Sequence, residues 1–311
     1  MVGAAGIQRV AVIGTGTIGA SWAALFLARS LEVVASDPAP DAEKLLRQRI
    51  ADAWPVLERL GPVAPNAFER LTFAADPADA ARRAQFIQEN GPEREDLKRA
   101  LFRTLDQAAP ADAIIASSSS GLLMSRLQEG CGHPERCVIG HPFNPPHLIP
   151  LVEVVGGTRT APAAIDRAMA FYAAIGKRPI HIRKEVKGHV ANRLQAALWR
   201  EAVHLVAEGV ASVADVDAAI ASGPGLRWAQ MGPHLTFHLA GGRGGMEHFL
   251  SQFAGPIQGW WEDLGAPTLS PDMQRKLIEG VAEEAAGRSI AELEARRDKH
   301  LISLLSSRRD R

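Results

Sequence analysis

Gly140-His141-Pro142-Phe143-Asn144-Pro145-Pro146 is followed closely by Leu151-Val152-Glu153-Val154-Val155. An imidazole titrates near neutral pH and can accept a hydroxyl proton. A buried carboxylate beside it fixes the ring tautomer and stabilises the imidazolium form. The apolar run around Glu153 reads as a strand, and His141 is expected on the loop before it. Such a pair can act as a general base with its orienting partner. The residues alone leave a core histidine and a strand-end glutamate equally open.

A second chemical signature stands near the N-terminus, in Gly14-Thr15-Gly16-Thr17-Ile18-Gly19. This G-x-G-x-x-G follows the apolar run Arg9–Ile13 and opens a helical pattern, which is the context that makes the motif informative. Gly14 permits a tight turn, Gly16 lets a pyrophosphate approach the backbone, and Gly19 lets the helix pack closely. Thr17 and Ile18 begin the helix, whose free N–H groups attract an anion. Asp37 follows the next strand at the spacing expected for a carboxylate that binds both ribose hydroxyls. A carboxylate there repels a 2′-phosphate, so NAD is expected rather than NADP. The alternative for Asp37 is an ordinary turn and helix cap.

Elements must position these groups. Strands are expected at Arg9–Ile13, Leu31–Ala35, Gln85–Gln88, Ala113–Ser117, Val138–Gly140 and Leu151–Val155. Helical stripes run through Ile18, Trp22, Leu25 and Arg29, and through Leu46, Ile50, Trp54 and Leu57. This alternation predicts a mostly parallel sheet covered by helices. From Val190 to Val210 the pattern becomes one long helix and stays helical afterwards, ending in a helix over Ser289–Leu305 with a frayed basic tail. The expected fold class is an α/β Rossmann-type N-terminal domain with an all-α C-terminal domain. The expected domains are residues 1–185 and 186–311.

Composition excludes several classes. The 311 residues suit two domains. Lys plus Arg number 35, as do Asp plus Glu, so no net field attracts nucleic acid or anionic lipid. Only Cys131 and Cys137 are present, without a histidine cluster, so neither a disulfide framework nor a zinc site is expected. No long apolar run predicts a transmembrane helix, and the N-terminus lacks a signal-peptide pattern. A cytoplasmic location is expected.

With these motifs in place, the chain resembles the 3-hydroxyacyl-CoA dehydrogenase family. Gly140–Pro145 with Leu151–Val155 is similar to the family's His-Glu signature. Ala116-Ser117-Ser118-Ser119-Ser120 is similar to its active-site serine segment, and Val190-Ala191-Asn192-Arg193 to its asparagine segment. The likeness covers nearly the whole chain in the expected order. It implies that His141 is the general base, Glu153 its orienting partner, Ser120 a donor to the substrate oxygen, and Asn192 a substrate-holding residue. It also implies that Glu89 and Arg94 line the cofactor pocket, with Arg94 where the family usually carries Lys. The two together are alternatively a structural pair. His147, His181, His189 and His204 read as surface or structural residues.

The family divides between acyl-CoA enzymes and enzymes for free hydroxy acids. In Asp41–Trp54 one Lys and two Arg are offset by Asp41, Glu43 and Asp52, poor footing for CoA phosphates. The segments Ala197–Ala202, Gly225–Ala229 and Leu235–Gly242 resemble the carnitine-oxidising branch most and the gulonate-oxidising branch more distantly. The resemblance therefore implies NAD-dependent oxidation of a free L-3-hydroxy acid, L-carnitine foremost. L-gulonate, an acyl-CoA ester and a non-catalytic crystallin-like role are the alternatives. Phe143, Trp199, Trp228 and Phe237 are candidates to face a quaternary ammonium, with Asn144 beside them and Arg227 or Arg193 for the carboxylate. For each aromatic the alternative is core or interface packing. A homodimer through the helical domain is implied.

Overall fold

The computed structural model describes residues 6–307. The basic tail after Ser307 lies outside them. Two compact units emerge: one runs to Asn192 and takes up the chain again from Ala295, and the other is Arg193–Glu294. This departs from the expected split at residues 185 and 186. The last helix explains the return of the C-terminus, because Ile302 is buried with Leu60 and Leu148 of the first unit.

Eight strands among the described residues form one sheet: β1 (Arg9–Ile13), β2 (Glu32–Ser36), β3 (Leu71–Phe73), β4 (Phe86–Glu89), β5 (Ile114–Ser117), β6 (Cys137–Pro142), β7 (Leu151–Gly156) and β8 (Arg178–His181). Their order is β3-β2-β1-β4-β5-β6-β7-β8, parallel throughout except where β6 meets β7. The order reverses between β1 and β4, the switch point where open α/β sheets bind ligands at their carboxyl ends. Helices α1 (Thr17–Ala28), α2 (Ala42–Leu60), α3 (Pro77–Ala81), α4 (Glu95–Ala108), α5 (Met124–Leu127) and α6 (Pro162–Ala174) belong to this unit. Val10 and Val12 of β1 pack into one apolar cluster, Ala11 and Ile13 into another. Alternate residues of a strand point to opposite faces, so both faces of the sheet are covered.

Helix α1 is buried all round from Gly19 to Ala28, not along a single stripe. Its small residues Ala20, Ala23 and Ala24 let neighbours close over every face. Strands β3 and β8 escaped the sequence reading. The first has three residues; the second carries a proline and is largely exposed, as edge strands often are.

The second unit is helical: α7 (Ala191–Ala207, which starts at the boundary), α8 (Val213–Ser222), α9 (Pro224–Trp228), α10 (Pro233–Ala240), α11 (Gly245–Asp263) and α12 (Pro271–Ala285), with α13 (Ile290–Ser307) leading back. Its core is small, built on Val203, Val206, Val216 and Met273. Large apolar side chains stand exposed, among them Leu194, Trp199, Trp260, Trp261 and Ile278. No described helix is long and apolar enough to cross a membrane.

Candidate active site

The glycine turn joins β1 to α1. Gly14 has φ +84°, a left-handed conformation that glycine adopts freely, and its N–H donates to Ser36 O at 2.8 Å. A Cβ on Gly19 would lie 1.9 Å from Gly14 O, so the helix could not close on the turn with any larger residue. A Cβ on Gly16 would meet nothing within 4 Å. Gly16 therefore faces open space at the start of α1, and no side chain caps that helix end. The first N–H groups of the helix are left for an anion. Thr17 is exposed and Ile18 half-buried at this end.

Asp37 follows β2 and binds the same turn. Its Oδ2 accepts from Thr15 N at 2.7 Å and Thr15 Oγ1 at 3.2 Å, and its Oδ1 from Ala39 N at 2.9 Å. The turn thus fixes the carboxylate beside the phosphate cradle. An uncapped helix end, a glycine facing open space and a fixed acid fit a dinucleotide carrying unmodified ribose hydroxyls.

Glu89 ends β4, fully buried. Its oxygens accept from Lys98 Nζ at 2.8 and 2.9 Å, from Ser117 Oγ at 2.6 Å and from Gly91 N at 2.5 Å. Lys98 is itself buried, with 2% of its side chain exposed. Arg94 instead pairs with Asp96 at 2.6 Å on the surface. The alternative reading of Glu89 and Arg94 as a structural pair is therefore set aside. Glu89 needs its countercharge inside the protein, and Lys98 on α4 supplies it there. Lys98 and Glu93 were both missed. Glu93 Oε1 accepts from Ser119 Oγ at 2.6 Å and from the N–H groups of Ser120 and Gly121, each at 3.0 Å. It caps the serine turn after β5, leaving the Ser120 side chain exposed.

His141 lies within β6, not on a loop after it. The strand continues to Pro142 because β7 pairs antiparallel with it, and His141 falls directly opposite Glu153. His141 Nδ1 and Glu153 Oε2 are 2.8 Å apart. Both residues are buried, Glu153 completely. Glu153 Oε1 accepts from Val190 N and Ala191 N, each at 2.9 Å, at the start of α7. Burial pushes the Glu153 carboxyl up, but the bonds from His141 and from the Ala191 and Val190 N–H groups outweigh it and hold it below its ordinary value. Glu153 is therefore a carboxylate, and Nδ1 of His141 carries the proton it accepts. Nε2 is left with its lone pair, the arrangement a general base requires.

Asn192 Nδ2 donates to Ser120 O at 3.4 Å, joining the asparagine and serine segments. Phe143 packs edge-on to His141 at 5.2 Å between ring centroids, and Asn144 is exposed beside it. The other proposed substrate residues belong to the helical unit. Trp199 and Trp228 are 53% and 40% exposed, and Phe237 stacks on Phe249 at 4.8 Å. Arg227 is exposed on α9.

Residues 9–186 match the family model of the 3-hydroxyacyl-CoA dehydrogenase NAD binding domain, and residues 188–284 that of the 3-hydroxyacyl-CoA dehydrogenase C-terminal domain. The L-carnitine dehydrogenase of Streptomyces griseus is 54% identical over 299 residues, 96% of this chain and 89% of that one. The L-carnitine dehydrogenase of Pseudomonas putida is 52% identical over 302 residues, covering 97% and 94%. Among solved structures, an NAD-dependent 5-formyl-3-hydroxy-2-methylpyridine 4-carboxylic acid 5-dehydrogenase superposes with TM-score 0.82 at 32% identity, over 96% of this chain and 97% of that one.

Proposed function

The chain belongs to the 3-hydroxyacyl-CoA dehydrogenase family, and from that premise we propose that it oxidises the 3-hydroxyl of L-carnitine to 3-dehydrocarnitine with NAD. The buried His141–Glu153 pair, set in the same sheet as an uncapped glycine turn, carries the chemistry. Relatives at 50% identity and above, matched over nearly their whole length, carry the choice of substrate.

Gly14, Gly16 and the start of α1 would hold the pyrophosphate, and Asp37 the ribose hydroxyls. NAD, when bound, supplies the acceptor for the hydride that leaves the carbinol carbon. His141 Nε2 takes the hydroxyl proton, and Glu153 stabilises the imidazolium that results. Ser120 donates to the substrate oxygen, and Asn192 keeps the serine turn in place through Ser120 O. Glu89 and Lys98 neutralise each other beneath the site and keep β4, β5 and α4 in register. Positioning and proton transfer supply the rate.

Carnitine carries a carboxylate and a quaternary ammonium. Aromatic faces attract such a cation by ~0.5–2 kcal/mol each. Phe143, half-buried beside His141 in the same unit, presents an aromatic ring suited to it. Phe143→Ala is expected to raise KM for L-carnitine more than KM for NAD. CoA phosphates find little support on α2, where Arg47 is paired with Glu43 and Arg49 donates to Thr15 O. The exposed apolar side chains of the helical unit favour a homodimer. A reducing cytoplasm suits Cys131 and Cys137, both free and buried.

An NAD-coupled panel of L-carnitine, L-gulonate, 3-hydroxybutyrate and its CoA ester tests the reading. The highest kcat/KM is expected with L-carnitine. Faster turnover of the CoA ester would move the protein to the other branch of its family.

A further inference from the structure

A turn over residues 187–190 leads from β8 into α7, and four consecutive residues where it meets the helix, His189 to Asn192, touch the candidate site. His189 Nε2 lies 3.1 Å from Ser119 O, Val190 N and Ala191 N donate to Glu153 Oε1, and Asn192 Nδ2 donates to Ser120 O. The turn therefore bridges the two halves of the chemistry, the serine segment and the carboxylate behind the base.

His189 is the unusual member. It follows Gly188 at φ +78° and itself has φ +52°, a left-handed conformation that a side chain makes costly. The residue is 1% exposed, and its ring lies 5.3 Å from the His141 ring between centroids. Nδ1 has no hydrogen-bond partner among the described residues. A buried polar atom without a partner is also costly. A position kept only for packing would carry an apolar side chain, and one kept only for the turn would carry glycine.

We propose that His189 is a positioning residue of the oxidation site, whose Nε2–H holds Ser119 O and thereby fixes the Ser120 hydroxyl against His141. The inference rests on the roles of Ser120 and His141 given above. Ser120 is then held on three sides: its N–H and, at 3.5 Å, its hydroxyl by Glu93, its own carbonyl by Asn192, and the preceding carbonyl by His189. Burial holds the His189 imidazole below its ordinary value despite the bond to Ser119 O, so it presents no second cation to the imidazolium formed on His141.

Three substitutions separate this role from packing. His189→Gln has an amide N–H long enough to reach Ser119 O, His189→Leu fills space without a donor, and His189→Asn suits the left-handed backbone but is too short to reach. His189→Gln is expected to keep kcat with L-carnitine within ~3-fold of the parent. His189→Leu and His189→Asn are expected to lose ~10-fold or more in kcat, with KM for NAD changed less than ~3-fold. His189→Asn is expected to melt within a few degrees of the parent, so that its loss is not one of folding. Parental kcat in His189→Asn, or equal loss in all three variants, would overturn the proposal. His141→Ala is measured alongside: if it stays active, the reading of the base fails, whereas an inactive His141→Ala with an active His189→Asn removes only the positioning role.

Discussion

At the scale of single residues, the chemistry depends on where protons and charges are stored. Glu153→Gln keeps the size of the side chain but removes the charge that holds the His141 tautomer. It is expected to lower kcat by on the order of 10²- to 10⁴-fold with little change in KM for NAD. The same carboxyl links stability to acid. Its folded value is held below the ordinary one. Its contribution is thus fully present above the ordinary carboxylate range and is lost as pH falls through the folded value. Unfolding followed from neutral to acid pH should show a shallower loss in Glu153→Gln than in the parent. Lys98→Met leaves Glu89 buried without its countercharge and should cost ~3–5 kcal/mol in urea unfolding. A loss below ~1 kcal/mol would mean that Glu89 is neutral in the fold. The pair His141 and Glu153 was legible as a candidate because a carboxylate stands in an apolar, strand-forming run shortly after an imidazole, but the residues alone left a core histidine equally open and the family resemblance chose between the two. Lys98 was not, because a lysine on a densely charged, exposed-looking helix gives no sign of burial. Glu93 and Arg94 are adjacent, and only the backbone path shows that Glu93 turns to the serine segment and Arg94 to solvent.

At the scale of elements, the glycine turn separates binding from folding. Gly16→Ala places a methyl in open space, so its melting temperature should match the parent while the Kd for NAD rises by ~10-fold or more. Gly19→Ala drives a methyl into Gly14 O, so it should lose stability and cofactor binding together. Calorimetry with thermal unfolding distinguishes the two. Central strands were legible because β-branched runs buried on both faces leave a continuous apolar signal, as in β1. Edge strands β3 and β8 carry no such signal. The placement of His141 inside β6 was missed for a related reason. Three prolines and an asparagine follow it within five residues, so the sequence reads as loop two residues before the strand ends. The antiparallel register that sets His141 opposite Glu153 is a property of the pairing and not of either strand alone.

At the scale of the molecule, the α/β and helical parts were legible from the long helical pattern that begins at Val190. The return of the C-terminus to the first unit was not. It depends on Ile302 finding Leu60 and Leu148, residues far away in sequence. The helical unit buries little and exposes much apolar surface, including Trp260 and Trp261 at 66% and 65%. Sedimentation equilibrium is expected to give twice the 33.3 kDa chain mass across the micromolar range. A monomer there would remove the homodimer from the account. The central claim is that His141 takes the hydroxyl proton of L-carnitine as NAD is reduced. The most direct measurement is the rate of NADH formation from L-carnitine by the parent and by folded His141→Ala at saturating cofactor. The account predicts steady NADH formation by the parent and a fall of on the order of 10²- to 10⁴-fold in the variant. Equal rates in the two proteins would contradict it.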